Sequence, residues 1–219
     1  MRMSFHHGQR GITSLDVLVV IATVVLLAVA FGPLWLRTRS KPRPRINCVS
    51  NLKQVSLAFR LWADDNGDKF PWQLPPESGG VQAKPFSSLA ARTVAVASNE
   101  LNSPKILVCP EDRQRIRATN WSLRNTNLSY FIGQSADDSN PATLLAGDRN
   151  LLADGRPLIP GRHDLRRFKK LSLDPNPHGG NGNIGLSDGS VQESTSASFN
   201  RLLQTAIASG QTNVLIATP

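Results

Sequence analysis

The sequence predicts an α+β chain: a long N-terminal helix, broken near Pro42, whose second half packs on a small antiparallel β-sheet head. Three observations carry this. Residues 17–36 form a run of 20 positions without a charge, nearly all apolar. A helix rises about 1.5 Å per residue, so such a run spans roughly 30 Å, the thickness of a bilayer's hydrocarbon core. Residues 46–62 place apolar side chains at helical spacing. Residues 182–192, GNIGLSDGSVQ, alternate apolar and small residues before an Asp188-Gly189 turn signal, the pattern of a hairpin.

In chain order, residues 1–11 are a basic, hydrophilic leader that stands outside the fold. Residues 12–36 form the transmembrane helix. They exceed a signal-peptide core, which is usually about 7–15 apolar residues. Pro33 kinks this helix, which hydrocarbon tolerates. Asp16 sits at the lip of the apolar run, where a carboxylate is costly unless paired. Residues 37–45, RTRSKPRPR, are a basic, proline-bearing linker. Pro42 and Pro44 each remove a backbone donor, and a proline inside a helix costs roughly 3 kcal/mol, hence the break. The five bases form a solvated collar suited to anionic headgroups, with a nucleic-acid patch as the sharper alternative.

Residues 46–219 are the head, 174 residues and ample for a hydrophobic core. Cys48, Leu52, Val55, Phe59 and Trp62 step by four and three along one face of an amphipathic helix that ends near Asp64. The following DDNGDKFP is a turn; its Gly67 is misplaced for an EF-hand loop and Pro75 stands where that loop needs an acid. Residues 71–85 read as loop. Residues 87–101 fit a helix or a strand. Residues 105–109, 129–133 and 143–146 read as short strands. Residues 111–127 read as an Arg-bearing loop, and residues 150–180 as mostly loop. Ser196 or Ser198 caps a last helix that runs to about Ala208, and the tail NVLIATP is a strand or a frayed end.

A hydrophobic content of 40% excludes a disordered tail. The formal net charge is +9, of which the leader holds Arg2 and Arg10, leaving +7 without it. That suits anionic lipid, nucleic acid or acidic glycan without choosing among them. The two cysteines, Cys48 and Cys109, both follow the membrane helix, and outside the cytoplasm they are candidates for a disulfide; two buried free thiols are the alternative.

The leader ending in Arg10-Gly11, an acid at the fifth position after that Gly, and the apolar helix resemble the type IV prepilin signal of pilins and type II secretion pseudopilins. Ile12 and Asp16 stand where that family usually has Phe and Glu, and Ser14-Leu15 replaces the usual Leu-Ile. A subgroup of bacterial pseudopilin-like proteins also carries Cys-x-x-Asn-Leu-Lys-Gln at a helix start, a later Cys-Pro, and His, nine residues, Asp-Gly. Here these are Cys48 to Gln54, Cys109-Pro110, and His178 to Asp188-Gly189. The resemblance implies a pilin-like fold, cleavage by prepilin peptidase between Gly11 and Ile12, N-methylation of Ile12, and an assembly role for Asp16. It also implies other pseudopilins as partners, a bacterial inner membrane as the anchor, and a single pass with the C-terminal domain on the periplasmic side. The base count flanking the helix argues for the opposite side; the cleavage motif must face the cytoplasm, so the resemblance is followed.

On these grounds a structural pseudopilin of a type II secretion or related filament is expected, not an enzyme. The chain has no Walker loop or H-E-x-x-H, and Ser187-Asp188-Gly189 reads as a turn rather than as a nucleophile elbow. No metal or cofactor is expected; Asp174, His178 and Asp188 are the weak metal candidates, and calcium is the ion that late loops of related major pseudopilins hold. Two alternatives stay open. One is a membrane-anchored, exported, metal-dependent hydrolase or binding module. The other is a DNA-uptake pseudopilin that binds nucleic acid through Arg113, Arg115, Arg117 and the RRFKK cluster at 166–170.

Overall fold

The computed structural model describes residues 14–37, 44–82, 89–210 and 213–216. These fall into two compact units, Met1–Arg43 and Pro44–Pro219. The described part of the first is one helix, α1 (Ser14–Arg37), with Asp16 in its first turn. Among the described residues it alone is long and apolar enough to cross a membrane, and residues 14–31 have their side chains exposed. The break expected near Pro42 lies outside the described residues.

The second unit opens with α2 (Pro44–Asp64). Proline at a helix start loses no bond, because the first N–H groups have no intrahelical partner. Helices α3 (Leu89–Val96) and α4 (Ser98–Leu101) follow, so the segment open to helix or strand is helical. Among the described residues nine strands come next: β1 (Tyr130–Gly133), β2 (Leu144–Asp148), β3 (Leu151–Ala153), β4 (Arg156–Pro157), β5 (Gly161–Asp164), β6 (Leu171–Leu173), β7 (Asn181–Leu186), β8 (Val191–Thr195) and β9 (Asn213–Ile216). Helix α5 (Ser196–Ala208) lies between β8 and β9.

The main sheet has six strands in the order β5-β9-β1-β2-β7-β8, and its pairs are antiparallel. A second sheet of three strands runs β4-β3-β6. Strand β1 is buried at every position, so both faces of the main sheet are covered. Tyr130 and Ile132 face a core built on α2, with Leu52, Val55, Phe59, Trp62, Phe70 and Trp72. Phe131, the alternate residue, faces the core of α5 and the small sheet, with Leu151, Leu171, Phe199 and Leu203. The two-residue period of the strand thus separates the two cores. The α2 stripe of Cys48, Leu52, Val55, Phe59 and Trp62 is buried throughout, and α2 lies against β7, β2 and β8. Gly185 on β7 permits that approach, since a Cβ there would collide with the Ser56 hydroxyl.

Three readings of the sequence need correction. Residues 105–109 do not form a strand: Pro104–Leu107 is a 3₁₀ turn, with Ser103 capping the Lys105 N–H and Leu107 buried in the α2 core. Its apolar run serves as a plug rather than as a paired edge. Residues 150–180 hold four strands rather than mostly loop. Each has two to four residues, and β5 is held by pairing with the distant β9. Helix α5 is capped by Thr195, with Ser198 completing a reciprocal capping box, rather than by Ser196 or Ser198 as first residue. The tail residues 213–216 are a strand, β9, set between β5 and β1.

Candidate functional site

Three segments far apart in the sequence meet at the start of α2. Cys48, one turn into α2, is bonded to Cys109, with Cα atoms 4.8 Å apart. Asn51, one turn further on, donates from its side-chain amide to the Val108 carbonyl at 3.3 Å, so the Asn of the Cys-x-x-Asn motif pins the residue before Cys109. His178 closes the group: its Nε2 lies 3.4 Å from Cys109 Sγ. The Arg45 guanidinium donates to the His178 carbonyl and pairs with Glu193 at 3.2 Å, tying the first turn of α2 to β8.

His178 is 2% exposed and stands between two carboxylates. Nδ1 is 2.6 Å from Glu111 Oε2, and Nε2 is 3.2 Å from Asp148 Oδ2. Burial alone would lower the imidazole's pKa, but the hydrogen bonds and charges of Asp148 and Glu111 outweigh it and raise the value above the ordinary one. Asp148 is itself fixed: its Oδ2 accepts the Asn183 backbone N–H at 2.7 Å and its side-chain amide at 2.8 Å. Burial and the nearby Asp148 charge push the Tyr130 phenol well above its ordinary range.

Beside this group is a cleft of about 760 Å³, lined in part by Cys109, Glu111, Arg113, Arg115, Asp148, Arg149 and Asp174. Arg149 forms a two-pronged pair with Asp112: Nε donates to Oδ2 at 2.8 Å and Nη2 to Oδ1 at 2.9 Å. Arg149 also donates to Gln114 at 2.7 Å. Burial opposes ionising Asp112, yet the bonds and charge of Arg149 prevail and hold its carboxyl below the usual range. Both ring nitrogens of His178 are engaged by carboxylates, so it is not placed as a free base beside a hydroxyl nucleophile.

Of the residues singled out from sequence, the fold brings Cys48, Cys109 and His178 together and gives the others separate surroundings. Gly11 and Ile12 lie outside the described residues. Asp16 is exposed in the first turn of α1, where the helix dipole favours an acid. His178 precedes β7 and Asp188 lies in the turn after it, so the six-residue strand, roughly 20 Å long, separates them. Asp188 is exposed, and its Oδ1 accepts the Ser190 N–H within the turn. Asp174 lines the cleft, and its Oδ1 accepts the Asn176 N–H at 2.8 Å. In the Arg-bearing loop Arg113 and Arg117 are exposed, and in the 166–170 cluster Arg166 pairs with Asp164 at 2.8 Å. The residues missed by sequence reasoning are Glu111, Asp112, Asp148 and Arg149. The one available signal was position: Glu111 directly follows Cys109-Pro110, and Asp148-Arg149 interrupts an apolar run.

The chain matches no family model, no curated protein and no solved structure.

Proposed function

We propose that this chain is a membrane-anchored pseudopilin, a structural subunit of a type II secretion or related filament, with a head that presents surface rather than chemistry. The observation that carries the reading is the N-terminal block: a basic leader ending in Arg10-Gly11, then an apolar helix with one acid, Asp16, in its first turn. Cleavage after Gly11 would leave a cationic amine on Ile12, four residues before Asp16 in the sequence. A carboxylate at the edge of hydrocarbon is tolerable when it meets an ammonium, and a neighbouring subunit supplies one. The head supports the reading in a second way. Its buried histidine serves to lock two motifs together, and α2 lies flat on an antiparallel sheet.

The test is assembly. Asp16→Ala should leave membrane insertion and head folding intact and reduce cross-linking to partner subunits in the membrane several-fold. Cross-linking equal to that of the unsubstituted chain would remove Asp16 from the assembly mechanism.

A further inference from the structure

We propose that Cys48, Cys109, His178 and Asp148 form a redox-gated zinc site: a thiolate-bearing metal site when the two sulfurs are reduced, a disulfide when they are oxidised. The donor atoms of Cys48, Cys109 and His178 lie within 4.8 Å of one another, and all three residues are buried. Tetrahedral zinc, with bonds of about 2.0–2.3 Å, holds neighbouring ligand atoms about 3.3–3.8 Å apart. The 3.4 Å from Cys109 Sγ to His178 Nε2 and the 3.2 Å from Nε2 to Asp148 Oδ2 are already near those spacings. The two sulfurs, now bonded, must part, and Asp148, which stands outside the tight group of the other three, must draw in.

Two further observations point to a cation. A metal-bound histidine characteristically gives its other ring N–H to a carboxylate, which fixes the tautomer and strengthens the ligand. Glu111 Oε2, 2.6 Å from Nδ1, occupies that position and leaves Nε2 to face the sulfurs. Asp148, 2% exposed, has one carboxylate oxygen, Oδ1, without a hydrogen bond. A buried acceptor in that condition is costly, and a cation relieves it. The cleft lined by Cys109, Glu111 and Asp148 is the access path. Two sulfurs, one imidazole and one carboxylate are a donor set that suits zinc.

The exchange balances. An external dithiol reductant gives two electrons and two protons, becomes a disulfide itself, and leaves Cys48 and Cys109 as thiols. Zinc then displaces the two thiol protons to water as the S–Zn bonds form. Oxidation by a disulfide-bearing acceptor runs the sequence backwards and releases the ion.

The experiment uses the full chain in detergent, reduced with a phosphine or left oxidised, and titrated with Co²⁺, whose thiolate charge-transfer absorption reports sulfur ligation. The reduced chain should take up one equivalent with that absorption, and zinc should displace it; the oxidised chain should show none. Glu111→Gln, at a side chain 24% exposed, keeps the fold and should weaken Co²⁺ affinity by about 10- to 100-fold. His178→Ala should abolish the one-equivalent uptake. A reduced chain without the absorption overturns the proposal, and so does uptake that is equal in the Glu111→Gln variant.

Discussion

Asp112 and Arg149 show how a single pair sets the pH response of the head. The Asp112 side chain is 5% exposed and that of Arg149 23%. The carboxyl titrates below its ordinary range, because the guanidinium's bonds outweigh the burial that opposes ionisation. A depressed carboxylate stabilises the fold above the ordinary Asp value, and that contribution is lost as pH falls through the folded value. Asp112→Asn should therefore lower stability by about 1–3 kcal/mol near neutral pH and by progressively less in acid. Urea unfolding of both chains in detergent, from neutral pH down to about pH 2, checks this. A gap that stays constant with pH would place the cost in packing and not in charge. At this scale the sequence was half legible. Cys48, Cys109 and His178 stood out by motif, but their partners did not. Glu111 and His178 are 67 residues apart, and Asp112 and Arg149 are 37 apart. Charges at such separations carry no periodic signal, and only the closed fold brings them together.

Helix α2 organises the head, because its stripe is the apolar face on which the sheet packs. Phe59 sits edge-on to Trp72 at 5.5 Å, and Trp72 stacks on Phe70 at 5.0 Å. Phe59→Ala leaves a cavity under the sheet and should cost about 3–5 kcal/mol. Ile46→Ala, at a position 63% exposed on the same helix, should stay within about 0.5 kcal/mol. Chemical denaturation followed by tryptophan fluorescence compares the two. Equal losses would mean that the stripe is not the packing face. The stripe was readable because a long helix repeats its period several times. The β7–β8 hairpin was readable because Asp188-Gly189 supplies the turn, with Gly189 at positive φ. The strands between residues 150 and 180 were not readable, since runs of two to four residues hold no period. Strand β9 is fixed by β1 and β5 on either side, so tertiary pairing and not local pattern decides it.

Over the whole molecule, an apolar helix and a folded head were legible from charge and hydropathy alone, whereas the covering of both sheet faces was not. That arrangement depends on α5 and the small β4-β3-β6 sheet reaching the face opposite α2. One covalent link spans the head: the Cys48–Cys109 bond joins positions 61 residues apart. Closing a loop of that length stabilises by about 4 kcal/mol in the chain-entropy model. Thiol labelling of denatured, unreduced protein should find no reactive cysteine, and prior reduction should expose two. Two reactive thiols without reductant would show that the link is not formed in solution. The proposed cleavage lies at the other end of the chain, between Gly11 and Ile12. Intact-mass and N-terminal peptide measurement of the membrane-bound protein tests it most directly. The account predicts a chain that begins at Ile12 with one N-terminal methyl group, and a Gly11→Val chain that keeps its leader. A membrane-bound protein that still begins at Met1, with a mass indifferent to the loss of Gly11, would contradict it and leave a plain single-span anchor in its place.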